Sequence, residues 1–131
     1  MQNDEIFEKV QDTLAGALGV SKDDITLEAS LTKDLGAESI DFIDIIFRLE
    51  KTFDIKIPSG DLFPAHVLNN DRFVKDGRVT EAGLQELRSK MPYLNLEQFQ
   101  KNPQVQFLSQ YFTVQMIADY VQGRVGKGVQ A

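Results

Sequence analysis

The residues from Ile40 to Phe53 carry apolar side chains in two helical registers at once, and that doubling limits what the chain can become. At about 100° per residue, Phe42, Ile45, Ile46, Leu49 and Phe53 line up as one wide stripe, the ordinary core face of an amphipathic helix. Ile40, Ile43 and Phe47 form a second, narrower stripe, with Asp41, Asp44, Arg48 and Lys51 between the two on one side. A helix in a small domain has no need of the second stripe unless something covers it. That cover is either more of this chain or a partner. The helix is predicted to run from Ile40 to about Thr52 and to stop before Asp54-Ile55-Lys56-Ile57-Pro58, because proline cannot continue a helix and biases the residue before it toward extended backbone.

A tight turn, Asp34-Leu35-Gly36-Ala37-Glu38-Ser39, hands over to this helix. Gly36 gives the backbone a conformation closed to other residues. Glu38 and Asp41 set carboxylates beside the first backbone N–H groups, where the helix dipole favours negative charge. Ser39 stands at the handover. The commonest role of a serine there is a plain N-cap.

The run Leu35-Gly36-Ala37-Glu38-Ser39-Ile40-Asp41, followed by Leu49-Glu50-Lys51-Thr52-Phe53-Asp54-Ile55-Lys56-Ile57-Pro58, resembles the acyl carrier proteins. Their signature is a Leu-Gly-x-Asp-Ser-Leu turn, a helix, and a Glu-x-x-Phe-x-x-x-Ile-Pro exit. This chain departs from it by Glu38 for Asp and Ile40 for Leu. The resemblance implies a 4′-phosphopantetheine arm joined by a phosphodiester to Ser39 and carrying acyl groups as thioesters. The chain has no cysteine, so a thioester carrier built on it needs a prosthetic thiol. The resemblance also assigns partner contacts to Glu38, Asp41 and Asp44, as acids offered to basic enzymes, and to Ile40, Ile43 and Phe47, as the apolar contact beside the arm.

The first helix is expected from about Asp4 to Leu18, with Ile6, Phe7, Val10, Leu14, Ala17 and Leu18 at helical spacing and Gly19 as its stop. Val20 to Asp34 reads as an ordered crossover anchored by Val20, Ile25, Leu27, Leu31 and Leu35. The last helix is expected to be capped by Thr113, with Val114, Ile117, Ala118 and Val121 inward, similar to the family's closing helix. Gly123 to Gly128 reads as a frayed tail, and not a nucleotide loop, since Gly128 follows Lys127 and no strand precedes it.

Between Pro58 and Thr113 the family pattern breaks: 54 residues stand where a short bridge is usual. Asp76-Gly77 between β-prone pairs predicts a small hairpin. Thr80 caps a helix from Glu81 to about Lys90, with Ala82, Leu84, Leu87 and Met91 as apolar positions, ended by Pro92. Asn95-Leu96-Glu97-Gln98 has capping-box spacing for another short helix, and Gln104 to Tyr111 is a candidate for the displaced short third helix. Leu84, Leu87, Tyr93, Leu94, Leu96 and Phe99 are too many to leave in water, yet a segment this short makes a marginal core alone, so residues 59–112 are expected to pack on the carrier helices. Phe99, Phe107, Tyr111 and Phe112 read as core, or as the border of an acyl cavity. His66, with no acid pair or nucleophile nearby in sequence, reads as structural or surface.

The net charge of −6 is uneven: residues 1–58 hold 13 acids and 6 bases, and the rest is nearly neutral. That argues against nucleic acid and for basic partner surfaces. No apolar run approaches the length of a membrane span, and the acidic Met1-Gln2-Asn3-Asp4-Glu5 lacks a signal-peptide pattern, so a cytoplasmic monomer without stable membrane insertion is expected. The single histidine excludes a His-pair metal site.

The expected fold is all-α: an acyl-carrier-like four-helix bundle from residues 1–58 and 104–131, with a mostly helical insertion at 59–103, packed against it and including the possible hairpin. The expected function is a specialised acyl carrier, not an enzyme, in fatty-acid or lipid biosynthesis, with lipid A among the lipids served. It is loaded by a phosphopantetheinyl transferase and then by a ligase or synthase, and it is unloaded by acyltransferases. Two alternatives stay open: an aminoacyl or polyketide carrier, and an unmodified carrier-fold interaction module. A serine hydrolase fits poorly, since Ser39 lacks the Gly-x-Ser-x-Gly elbow and one histidine leaves little for a triad.

Overall fold

Helical spacing of apolar residues organises the start of the chain into α1 (Asn3–Leu18), which buries Ile6, Val10 and Leu14. The computed structural model describes residues 3–58 and 60–130; the expectations that involve Met1 and Gln2, and the bounds set at residues 59 and 131, lie outside the described residues. The Gly19 N–H closes α1 on the Ala15 carbonyl at 2.9 Å. The crossover that follows holds a short 3-10 turn (Lys22–Asp24) and is ordered by its own hydrogen bonds. Gln11 on α1 donates to the Ile25 carbonyl at 2.8 Å, while Val114 N–H and Gln115 N–H donate to Ala29 and Leu27. Ile25, Leu31 and Leu35 are buried, so the crossover is a strap across the bundle, not a free loop.

The central helix, α2 (Ser39–Phe53), buries Phe42, Ile45, Leu49 and Phe53 as expected, with Ile46 partly covered. Its exit is fixed by Glu50: Ile55 N–H reaches the Glu50 carbonyl, and Ile57 N–H donates to its carboxylate at 2.9 Å. Asp54 ends the helix in left-handed backbone at φ 55°.

After Pro58 the chain forms α3 (Ala65–Leu68) and then a two-stranded antiparallel hairpin, β1 (Val74–Lys75) and β2 (Arg78–Val79). Asp76 and Gly77 both have positive φ, the requirement of the tight two-residue turn that Asp-Gly favours. Helix α4 (Glu81–Lys90) is capped by Thr80, whose hydroxyl accepts from Gly83 N–H at 3.1 Å. Its inward face corrects the expected one. Gly83, Leu84 and Leu87 are buried and Ala82 is exposed, because α4 lies so close to the hairpin that only a residue without a side chain fits against the Phe73 carbonyl. Asn95 accepts from Glu97 N–H in a local turn instead of forming a capping box, and the helix expected there is a brief 3-10 turn, Phe99–Lys101. A third 3-10 segment, Val105–Tyr111, leads into α5 (Val114–Gln130).

Thr113 caps α5 by accepting from Met116 N–H at 3.2 Å, and Val114, Ile117, Ala118 and Val121 are buried. The helix continues where a frayed tail was expected. Val125 is buried, and Arg124 donates to the Lys56 carbonyl at 2.6 Å, so side-chain anchoring outweighs the glycines. One apolar cluster joins α1, α2 and α5 to Leu62, Val67, Leu84, Leu87, Leu94 and Phe99. At its edge Tyr120 of α5 meets Tyr93 edge-on at 6.0 Å and donates a 2.6 Å hydrogen bond to Asp61. Phe107 corrects the aromatic expectation: it is 42% exposed, because the 3-10 segment turns its neighbour Leu108 inward.

Candidate functional site

Three buried or half-buried contacts fix the backbone just ahead of α2. The Leu31 N–H donates to the Phe112 carbonyl at 2.8 Å, and the Ala37 N–H donates to the Leu31 carbonyl at 2.8 Å. Asp34 accepts from Ser30 N–H at 2.7 Å. Leu35 and Ala37 are buried on either side of Gly36, whose φ of +76° turns the chain between them.

Glu38, in extended backbone, holds the N-cap position, and Asp41 reaches back to accept from the Glu38 N–H at 2.8 Å. Ser39 is therefore the first helical residue and not the cap, which sets aside the plain N-cap role. Its side chain is exposed, and among the described residues its hydroxyl has no hydrogen-bond partner. First-turn N–H groups have no intrahelical acceptor and carry the positive end of the dipole. A free hydroxyl in that field suits attachment of a phosphate group.

Around the hydroxyl, Ile40 is 70% exposed, Ile43 73% and Phe47 56%. No described part of this chain covers the second stripe. Of the three acids assigned to partners, Glu38 is exposed at the N-cap and forms a capping box with Asp41, Asp41 is engaged as the helix-start acceptor, and Asp44 is paired with Arg48 at 2.9 Å. Lys51 lies 4.7 Å over the Phe47 ring, so a cation already flanks the apolar stripe. Exposed pairs of this kind are worth little and exchange readily for a partner's charges.

Beneath the site, Phe42 packs against Phe63 at 5.1 Å and Phe112 at 5.7 Å, and Phe63 meets Phe112 at 6.2 Å. Phe63 was missed as a neighbour of the site, since nothing in its local pattern marks a residue from beyond Pro58 as a contact of α2. His66 takes the structural, surface role expected of it, through a partner distant in sequence. Its Nε2 lies 3.0 Å from the Glu86 carboxylate, an acid brought across from α4 by the fold, and the pair ties α3 to α4. Among the described residues no His, Cys, Asp and Glu cluster is placed to hold a metal, and no helix is long and apolar enough to cross a membrane.

An exposed hydroxyl at a helix start, beside an uncovered apolar stripe, is a surface on which a group can be attached and met by a partner. Residues 8–70 match the family described as the phosphopantetheine attachment site. Over 58 residues the chain is 43% identical to an acyl carrier protein of Guillardia theta, spanning 44% of this chain and 72% of that one. It is 45% identical over 56 residues to one from Clostridium acetobutylicum, 43% of this chain and 73% of that one. A third, from Chlorobium phaeobacteroides, is 43% identical over 61 residues, 47% and 78% of the two chains. The chain belongs to the acyl carrier protein family, and its cofactor is 4′-phosphopantetheine.

Proposed function

We propose that Ser39 bears the arm and that the chain works as a specialised acyl carrier in fatty-acid or lipid biosynthesis. One observation carries this reading. Ser39 lies inside the family match, is the first residue of α2, and offers an exposed hydroxyl with no hydrogen-bond partner among the described residues. When bound, the arm supplies the thiol that holds an acyl group as a thioester. The chain's own residues orient it: Gly36 and the Asp41–Glu38 bond set the angle of the helix start, and the first-turn N–H groups favour the phosphodiester charge.

Partner enzymes meet the face made by Glu38, Ile40, Asp41, Ile43, Asp44 and Phe47. The exposure of the three apolar residues supports this, since monomers seldom leave such a group in water without use. These enzymes are a phosphopantetheinyl transferase, an acyl-loading ligase or synthase, and an acyltransferase, with this chain as cargo-bearer and not catalyst. Residues 1–58 and 104–131 form the carrier and 59–103 the insertion. The family match supports the first part and continues through α3.

The test is intact-mass measurement after incubation with a phosphopantetheinyl transferase and coenzyme A. Wild type gains the mass of one arm, and Ser39→Ala gains none while keeping its helical circular dichroism. A mass gain by the alanine variant would refute the assignment of Ser39.

A further inference from the structure

Residues 1–58 hold six cations against 13 acids, and three of the six line one cleft between α1 and α2. Lys9 of α1 and Arg48 and Lys51 of α2 stand around a space of about 340 Å3, with Thr13, Thr52 and Asp12. Gly16 makes room for the arrangement. The Arg48 guanidinium lies across the groove onto α1, 3.0 Å from where a β-carbon on Gly16 would stand, while its Nε donates to Asp44 at 2.9 Å. Asp12, the one acid of the lining, pairs with Lys22 at 3.0 Å, and Lys9 holds Glu5 loosely at 3.8 Å. Among the described residues no carboxylate pairs with Lys51, whose ammonium lies over the Phe47 ring. The helix dipole accounts for one cation in the last turn of α2, but Arg48 stands about a turn earlier and Lys9 is on another helix.

The cleft meets the exposed apolar stripe. Lys51 is one turn beyond Phe47 on the same side of α2, so an occupant that covers Ile40, Ile43 and Phe47 reaches the cations as well. A small free anion could sit among them but would leave the stripe in water; a partner protein covers both. Charge is also ordered along α2. Glu38 and Asp41 stand at the Ser39 end, Arg48 and Lys51 at the other, with ten residues, roughly 15 Å, between Asp41 and Lys51. A partner surface that was basic throughout would meet like charge at the far end.

We infer that this cleft receives an acidic side chain of the phosphopantetheinyl transferase, so that the enzyme reads the face by two patches of opposite sign. A basic patch lies over Glu38 and Asp41, and a carboxylate accepts from Arg48 and Lys51 with Lys9 beside it. The two opposed contacts fix the direction in which α2 lies on the enzyme. The inference rests on the attachment at Ser39 and the partner face proposed above. It names the transferase because attachment of phosphopantetheine requires one, whatever the cargo.

The experiment follows arm attachment to the full, unmodified chain by the transferase of the same organism with coenzyme A, read by intact mass. Lys51→Glu raises the KM for the chain about tenfold, with kcat and circular dichroism unchanged. Lys51→Gln, which removes the charge without reversing it, raises KM about threefold. Carbodiimide coupling, which joins an amine to a carboxylate in contact with it, links Lys51 or Lys9 to an aspartate or glutamate of the transferase. Replacing that acid by lysine restores the KM of Lys51→Glu. A KM for Lys51→Glu equal to or below that of wild type, or cross-links to the transferase from other lysines alone, would overturn this inference and leave Ser39 as the bearer of the arm. A wild-type chain that gains no arm mass would overturn the attachment at Ser39, and this inference with it.

Discussion

Replacing Tyr120 with phenylalanine isolates one hydrogen bond at the root of the long segment after Pro58. The ring stays, and with it the edge contact to Tyr93. What is lost is the O–H that donates to Asp61 at 2.6 Å. A hydrogen bond to a charged acceptor contributes about 1.5–3 kcal/mol. Asp61 is only half-buried and regains water, so the lower end applies, about 1.5 kcal/mol, or a fall of about 5 °C in Tm for a chain of this length. A second signature follows from pH. Burial, then the Asp61 hydrogen bond and charge, push the Tyr120 phenol above its ordinary value of 10.0. The folded state therefore favours the neutral phenol. Its contribution is fully present below pH 10 and is lost as pH rises further. Thermal melts followed by circular dichroism at pH 7 and through the alkaline range measure both effects. Tyr120→Phe melts lower at neutral pH, and the gap to wild type narrows above pH 10. Equal Tm values at pH 7, or a gap that stays constant into strong alkali, would refute the reasoning.

Gly83→Ala sets a methyl 2.4 Å from the Phe73 carbonyl oxygen and 2.7 Å from Val79, so it destabilises despite the better helix former, by about 1–3 kcal/mol in urea unfolding. Phe63→Ala empties the space between Phe42 and Phe112, and since Phe63 is half-buried the loss falls near the low end for such changes, about 3 kcal/mol in the same assay, with arm attachment retained. Affinity for the transferase, measured by titration calorimetry from low to high salt, falls as salt screens the acidic front of the chain over about 8–10 Å; an affinity that does not change with salt would show that these acids are merely solvated.

The main helices were legible because their burial patterns are periodic. Phe42, Ile45, Leu49 and Phe53 sit where the 3.6-residue repeat puts them, and the second stripe stands apart from them in the sequence as it does on the surface. The Asp-Gly hairpin and the Thr80 and Thr113 caps were legible for a local reason: each is decided by side chains within a few residues. What stayed hidden depends on partners distant in sequence. The phase of α4 is set by its approach to Phe73, the Glu86 partner of His66 is 20 residues away, and the end of α5 is held by Arg124 on Lys56. Near the site, the start of α2 was legible to within one residue. The one-residue difference matters, because it makes Ser39 the first helical residue and leaves its hydroxyl free.

The hairpin has one further neighbour. Val79 N–H donates to the Pro103 carbonyl, Val105 N–H donates to the Gly77 carbonyl, and Arg78 pairs with Gln104. The excursion from Thr80 to Asn102, with all of α4, thus leaves and returns at the same place. A stretch whose two ends already meet closes its own loop, so the pairing around the hairpin does not depend on how many residues lie between them. Joining Val79 to Pro103 through a two-residue turn would keep that pairing but uncover the part of the shared core that Leu84, Leu87, Leu94 and Phe99 fill.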